Sequence, residues 1–207
     1  MLVPDFSFEA ELHSRGFDLV AGVDEVGRGP LAGPVTAAAV ILDPNNIPVG
    51  LNDSKALSAK KRERLYDLIL QHGRVGVVHV SVQEIDRINI LQATLLAMTQ
   101  AIGQLDPSPS FVLIDGNRVP DGLAVPGRAI VKGDAKSVSI SAASIVAKIT
   151  RDRLMIELSE QNPGYGWDKN AGYPTKEHQL ALQHLGASPH HRRSFKPVHN
   201  ILCREKK

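Results

Sequence analysis

Four carboxylates stand where an acidic side chain has no obvious structural use. Asp24 and Glu25 follow the apolar run LVAGV, Asp115 follows FVLI, and Asp134 follows AIVKG. A carboxylate at the mouth of a buried strand is costly to desolvate unless it is paired or holds a cation. Three such sites at the ends of three apolar runs predict one convergent cluster, because ligands gather at the carboxyl ends of sheet strands. Crowded carboxylates repel one another, and a divalent cation relieves that repulsion. Hard oxygen donors with no Cys or His at ligand spacing select Mg²⁺ or Mn²⁺ over Zn²⁺. Neighbouring residues in a regular strand point to opposite faces. Asp24 and Glu25 are therefore expected where their strand ends, with Gly27 and Gly29 supplying the freedom to turn. The same stretch, GVDEVGR, has the outline of a phosphate loop. Arg28 stands in place of its lysine and Gly29 in place of its Ser or Thr, which excludes that alternative.

The elements that must position these acids follow from periodicity and punctuation. Residues 17–24 and 35–42 read as strands rich in Val, Ala and Leu, joined by the loop GRGPLAGP. Ser58 caps a helix running to about 71, with Leu65, Leu68 and Ile69 on one face and Gly73 beyond its end. A third strand covers 74–80. Ser81 and Glu84 then form a capping box ahead of the stripe Ile85, Ile88, Leu91, Leu95 and Met98, which ends near Gly103. The run Asp106-Pro107-Ser108-Pro109 breaks the chain. Short apolar strands follow at 110–114 and 128–131. A long helix is expected from about Ser139, with Ala142, Ala143 and Ala147 permitting close approach, and Thr175 caps another that Gly186 stops near Leu185. Strands first, then strands alternating with helices, indicate an α/β domain with a mixed sheet.

The chain has 207 residues, 43% hydrophobic and 22% charged, which excludes disorder and fits one ordinary domain. No apolar run approaches the roughly 20 residues of a membrane span. Asp5 and Glu9 interrupt the N-terminus, so no secretory leader is expected. A single cysteine, Cys203, precludes an internal disulfide and fits a reducing, cytoplasmic setting. The net charge of +2 conceals an asymmetry. Residues 188–207 hold six basic groups against one acid, a net +5, leaving 18 basic groups against 21 acids, or −3, in residues 1–187. A basic tail on an acidic body fits a phosphate-rich partner. The expected division is thus a catalytic body at 1–187 and a basic C-terminal segment at 188–207 packing on or extending it.

The residues are specific enough to carry a family resemblance. AGVDEVGRGPLAGPVTAAAVIL, LNDSKALS, LIDGNR, VKGDAKSVSISAASIVAKITRD and GYPTKEH with GASPHHRRSFKPV closely resemble bacterial ribonuclease HII, in the family's order from 19 to 198. The resemblance implies an RNase H-like fold: a five-stranded mixed sheet flanked by helices, with a C-terminal helical segment. It also implies endonucleolytic hydrolysis of the RNA strand in RNA·DNA hybrids, and incision 5′ of single ribonucleotides in duplex DNA to leave 3′-hydroxyl and 5′-phosphate ends. Carried over residue by residue, Asp24, Glu25, Asp115 and Asp134 are the catalytic and metal-binding quartet, holding two Mn²⁺ or Mg²⁺ ions. Backbone amides of Gly27, Arg28 and Gly29 resemble the family's reader of the ribose 2′-hydroxyl. Tyr173 resembles its stacking aromatic, and Lys55 is a candidate phosphate contact. Action as a monomer in ribonucleotide excision is implied. The related ribonuclease HIII carries an additional N-terminal domain, for which the 23 residues before Asp24 are too few. The rival reading is a catalytically silent binder of RNA·DNA hybrids on the same fold.

The chain departs from the family's usual pattern at Ala56, where a second lysine is common, and at Asn170 and Ala171, where His and Lys are common. Other residues receive plainer expectations. Arg192, Arg193 and Lys196 read as general backbone contacts. His178 and His184 read as solvent-facing helix residues, His190, His191 and His199 as surface or phosphate-proximal groups, and Trp167 as loop packing.

Overall fold

The computed structural model describes residues 3–204. Chain order is α1 (Ser7–Ser14), β1 (Val20–Val26), β2 (Val35–Ile41), α2 (Ala59–His72), β3 (Arg74–Val80), α3 (Val82–Gly103), β4 (Phe111–Asp115), β5 (Gly127–Ile130), a 3₁₀ turn (Gly133–Ala135), α4 (Val138–Gln161), α5 (Trp167–Asn170), α6 (Lys176–Leu185) and α7 (Lys196–Arg204). The five strands form one sheet in the order β3-β2-β1-β4-β5. β1–β2 and β2–β3 are antiparallel, whereas β1–β4 and β4–β5 are parallel. This is the mixed sheet the strand pattern predicts.

β2 explains why the apolar run at its centre has no polar alternation. Ala37, Ala39 and Ile41 pack with Ala93, Ala97, Met98 and Ala101 of α3, while Ala38, Val40 and Leu42 pack with Leu65 and Ile69 of α2 and Ala142, Ile145 and Val146 of α4. Both faces are covered, so every position is buried. α4 presses closest at Gly22 of β1. A Cβ there would lie 2.0 Å from the carbonyl carbon of Ser139, so only glycine fits. The predicted caps form: Ser58, Ser81 and Thr175 accept from the amides of Lys61, Glu84 and His178.

The structure adds one element and refines two local expectations. The segment before residue 20 contains α1, which periodicity did not reveal, because eight residues carry too little pattern. It is held by tertiary contacts: Leu12 is fully buried against Val20, Phe111 and Ile140, and Glu9 Oε1 accepts from Ser137 Oγ and the Ser139 amide at the start of α4. The stripe from Ile85 to Met98 is not one uninterrupted helix. Asn89 leaves helical geometry at φ 68°, and its Oδ1 restarts the helix by accepting from the amides of Leu91 and Gln92. Asp24 and Glu25 stand near the end of β1, as expected, but still within it, paired with Ala38 and Ala37 of β2.

The basic segment is integrated into the domain as far as residue 204. Val198 is fully buried with Leu31 and Leu182, and a bridge joins Ala32 to His191. Arg192 is fully buried, which removes it from the surface charge the sequence assigned to this region. Arg193 and Lys196 stay exposed. The side chain of Arg204, and Glu205, Lys206 and Lys207, lie outside the described residues. Among those described, no helix is long and apolar enough to cross a membrane.

Candidate active site

Parallel pairing of β1 with β4 runs from Val20 and Phe111 to Val23 and Ile114. The next residue on each strand is an acid, Asp24 on one and Asp115 on the other. They emerge side by side because the ladder stops there, while β1 continues two to three residues further along β2. The β4 side of β1 is therefore open at Asp24 and Glu25. One carboxylate oxygen from each of Asp24, Glu25 and Asp115 can be chosen so that all three lie within 4.8 Å of one another. That meeting resolves the objection raised by strand alternation.

Asp134 approaches from the turn after β5. The Gly133 amide donates to Asp115 Oδ1 at 2.6 Å, which ties that turn to the strand end. Asp134 lines the same cleft without joining the set within 4.8 Å. The cleft, of about 410 Å³, is lined by all four acids together with Lys55 and Tyr173. Ser54, Ser144 and Lys148 also line it, and sequence reasoning overlooked them. Their signal was present, since Ser144 and Lys148 interrupt the apolar face of α4 at a spacing of four. Ser144 Oγ donates to Ser54 Oγ at 2.9 Å and so fastens the loop that bears Lys55.

Electrostatics reflect the crowding. Asp24 is 6% exposed, and burial, then repulsion from Glu25 and Asp115, pushes its carboxyl well above the usual range. Burial also raises Glu25, against the opposing effect of Arg28, whose guanidinium lies 3.2 Å from it. Asp134 is raised by burial and by Asp115 and Asp53. Among the described residues, Arg28 makes the sole ion pair to this group, while Lys55 opposes the rise of Asp134 from across the cleft.

The loop from Gly27 to Pro34 runs beside the acids. A Cβ on Gly29 would stand 3.5 Å from Cε1 of Tyr173, so the partly exposed tyrosine ring lies against that glycine. The histidines behind Tyr173 differ from expectation. His178 is fully buried, accepting from Trp167 Nε1 at 3.0 Å and bonding the Tyr173 carbonyl through Nδ1 at 2.9 Å. His191 is also buried, 3.1 Å from His178 through the two Nε2 atoms. Burial lowers both, His191 to about 3, so they are neutral at pH 7 and serve as packing and hydrogen-bonding groups. Trp167 is fully buried beside them, as expected for a packing residue.

Residues 21–198 match the family model for ribonuclease HII. Ribonuclease HII of Ruegeria pomeroyi is 62% identical over 205 residues, covering 99% of this chain and 88% of that one. The chain belongs to the ribonuclease HII family. The fold agrees: ribonuclease H2 of Pyrococcus horikoshii superimposes with a TM-score of 0.76 at 30% identity, covering 91% of this chain and 99% of its own. Bst-RNase HIII in complex with Mn²⁺ matches in fold, with a TM-score of 0.71 at 19% identity over 91% of this chain and 70% of its own.

As a ribonuclease HII, the chain is a metal-dependent ribonuclease. The donor set of this structure suits that chemistry. Three convergent carboxylates, one buried and two half-buried, form the all-oxygen, anionic environment that hard divalent cations require.

Proposed function

We propose that this ribonuclease hydrolyses RNA paired to DNA and also incises 5′ of a single ribonucleotide embedded in duplex DNA, leaving 3′-hydroxyl and 5′-phosphate ends. Action on RNA·DNA hybrids is the family's activity; the single-ribonucleotide substrate and the residue roles are the finer reading. The observation that carries it is the trio of carboxylate oxygens within 4.8 Å, in a cleft shared with Asp134, Lys55 and Tyr173.

Asp24, Glu25, Asp115 and Asp134 would hold a pair of Mg²⁺ or Mn²⁺ ions, which when bound activate water and stabilise the departing 3′ oxygen. The remaining work belongs to the chain's own groups. Lys55 lies where it can accept a phosphate into the cleft. Arg28 orients Glu25 through its 3.2 Å contact. Amides of Gly27, Arg28 and Gly29 meet the 2′-hydroxyl, the one group that separates RNA from DNA at a given site. Tyr173, lying against Gly29, stacks on the neighbouring nucleotide and registers the junction with DNA. The buried, neutral His178 and His191 are unsuited to proton transfer, which leaves water activation to the acidic pocket. Residues 188–207 complete the domain with 1–187, and the enzyme acts as a cytoplasmic monomer in ribonucleotide excision. The single, exposed Cys203 suits a reducing compartment.

Duplex DNA carrying one ribonucleotide, incubated with Mn²⁺ or Mg²⁺, tests this reading. The expected product is one nick 5′ of the ribonucleotide, lost in Asp24→Asn. Equal cutting of all-DNA duplex, undiminished activity in Asp24→Asn, or binding without turnover would overturn it.

A further inference from the structure

Two arginines that hold the loop from Gly27 to Pro34 are fully buried, yet among the described residues neither forms an ion pair. Both spend their donors on backbone carbonyls. Arg192 donates to Gly27 O at 2.6 Å, Arg28 O at 2.9 Å, and Gly33 O at 2.8 and 3.0 Å. Arg151 donates to Pro34 O at 2.9 Å, Ala32 O at 3.1 Å and Ala171 O at 2.9 Å. A buried cation without an anion is costly, and burial lowers these guanidinium pKa values to about 9 and about 10, still above neutrality. The two charges persist because converging carbonyls surround them.

Those carbonyls have a geometric corollary. A trans peptide is planar, so the C=O of one residue and the N–H of the next point in opposite directions. Drawing Gly27 O and Arg28 O inward turns the amides of Arg28 and Gly29 outward. Among the described residues, neither amide donates to a protein acceptor. Tyr173 marks the outward side, 3.5 Å from the position of a Cβ on Gly29. Gly27 is required for the same arrangement: its φ is +90°, and a Cβ there would fall 2.2 Å from Arg151 Nε. Arg151 also joins the loop to Ala171, and the Leu31 amide bonds Gly172 O at 2.7 Å, so the loop and the tyrosine move as one body.

We infer that Arg192 and Arg151 are positioning residues for ribose recognition, a guanidinium pair that aims the Arg28 and Gly29 amides at the 2′-hydroxyl and fixes their spacing from Tyr173. This inference rests on the ribonuclease reading of the cleft. A cation bound to a carbonyl also polarises its peptide and strengthens the N–H as a donor. Deoxyribose presents no acceptor to these amides, so the clamp contributes discrimination and not general affinity.

Arg192→Lys keeps the charge but cannot span three carbonyls with a planar fork. Binding in EDTA is measured for a single-ribonucleotide duplex and for the same duplex in all-DNA form. The expected result is a fall of about tenfold in the ratio of the two affinities, the equivalent of one net hydrogen bond. All-DNA affinity stays within about twofold, since its phosphate contacts are untouched. An unchanged ratio in a folded variant overturns the inference. Should the variant not fold, amide exchange in the wild-type protein decides. Arg28 and Gly29 should exchange rapidly in the free enzyme and slow on adding the ribonucleotide duplex but not all-DNA. Slow exchange in the free enzyme overturns the inference. A wild-type protein without ribose preference overturns the reading of the cleft itself, whereas preference undiminished in Arg192→Lys overturns only the clamp.

Discussion

Replacing Asp24 by Asn should stabilise the metal-free protein while abolishing its activity. Asp24 is buried, with one oxygen each from Glu25 and Asp115 inside 4.8 Å. A fully ionised pair at that distance repels by 332/(20 × 4.8), about 3.5 kcal/mol at an effective dielectric constant of about 20. The raised Asp24 and Glu25 carboxyls take up protons more readily than free ones, which relieves part of this. A net gain of about 2 kcal/mol on removing the charge is therefore expected, with the Asn oxygen still able to accept the Glu25 amide that now bonds Asp24 Oδ1 at 2.7 Å. For a chain of this size that is about 4–8 °C in Tm. The sign follows from linkage. A carboxyl raised in the folded state contributes stability below its unfolded pKa and loses it as pH rises through the folded value. The advantage of Asp24→Asn should thus vanish near pH 4 and grow toward pH 8. Thermal melts in EDTA across this range, repeated with Mn²⁺, provide the assay. With metal the order should reverse, since the wild type gains the bound cation. A variant no more stable than wild type at pH 8 in EDTA would refute the idea that these acids repel one another in the metal-free protein.

Four further outcomes are expected. Metal affinity, followed by calorimetry, should rise with pH across the acid range, because protons compete for Asp24, Glu25 and Asp134, whose carboxyls are all raised; a flat profile would contradict this. Gly22→Ala places a methyl 2.0 Å from backbone that cannot yield, so a loss of about 3 kcal/mol or more, or failure to fold, is expected; a Tm within about 2 °C of wild type would disprove the contact. Tyr173→Ala should weaken binding of the single-ribonucleotide duplex by about 5- to 150-fold, the range of a lost base stack, while Tyr173→Phe retains it. Deleting residues 188–207 would remove the buried Arg192, His191 and Val198, so the phosphate contribution is better tested by Arg193→Ala and Lys196→Ala. Each should lower the slope of log affinity against log salt by about 0.9, and an unchanged slope would assign these side chains to solvent alone.

The identities of the four acids, the five strands and the capped helices were legible because each rests on a local rule. Apolar runs form strands, Ser or Thr ahead of an apolar stripe starts a helix, and glycines and prolines punctuate both. The same rules fail at Asp24 and Glu25. Alternation places them on opposite faces of a strand, and only the early end of the β1–β4 ladder lets both approach Asp115. Burial of charge was equally hidden. Nothing in RRSF distinguishes Arg192, fully buried, from exposed Arg193, because the difference lies in carbonyls contributed by a loop 159 to 165 residues away. His178 likewise sits on a helix that could have faced water, and it is Trp167 and His191 that enclose it. Sequence by itself singled out which side chains could bear the chemistry, since residue type and immediate neighbours determine charge, capping and strand character. Tertiary structure decided which of them meet and which lose solvent, since distance between remote residues and desolvation are properties of the packed chain alone.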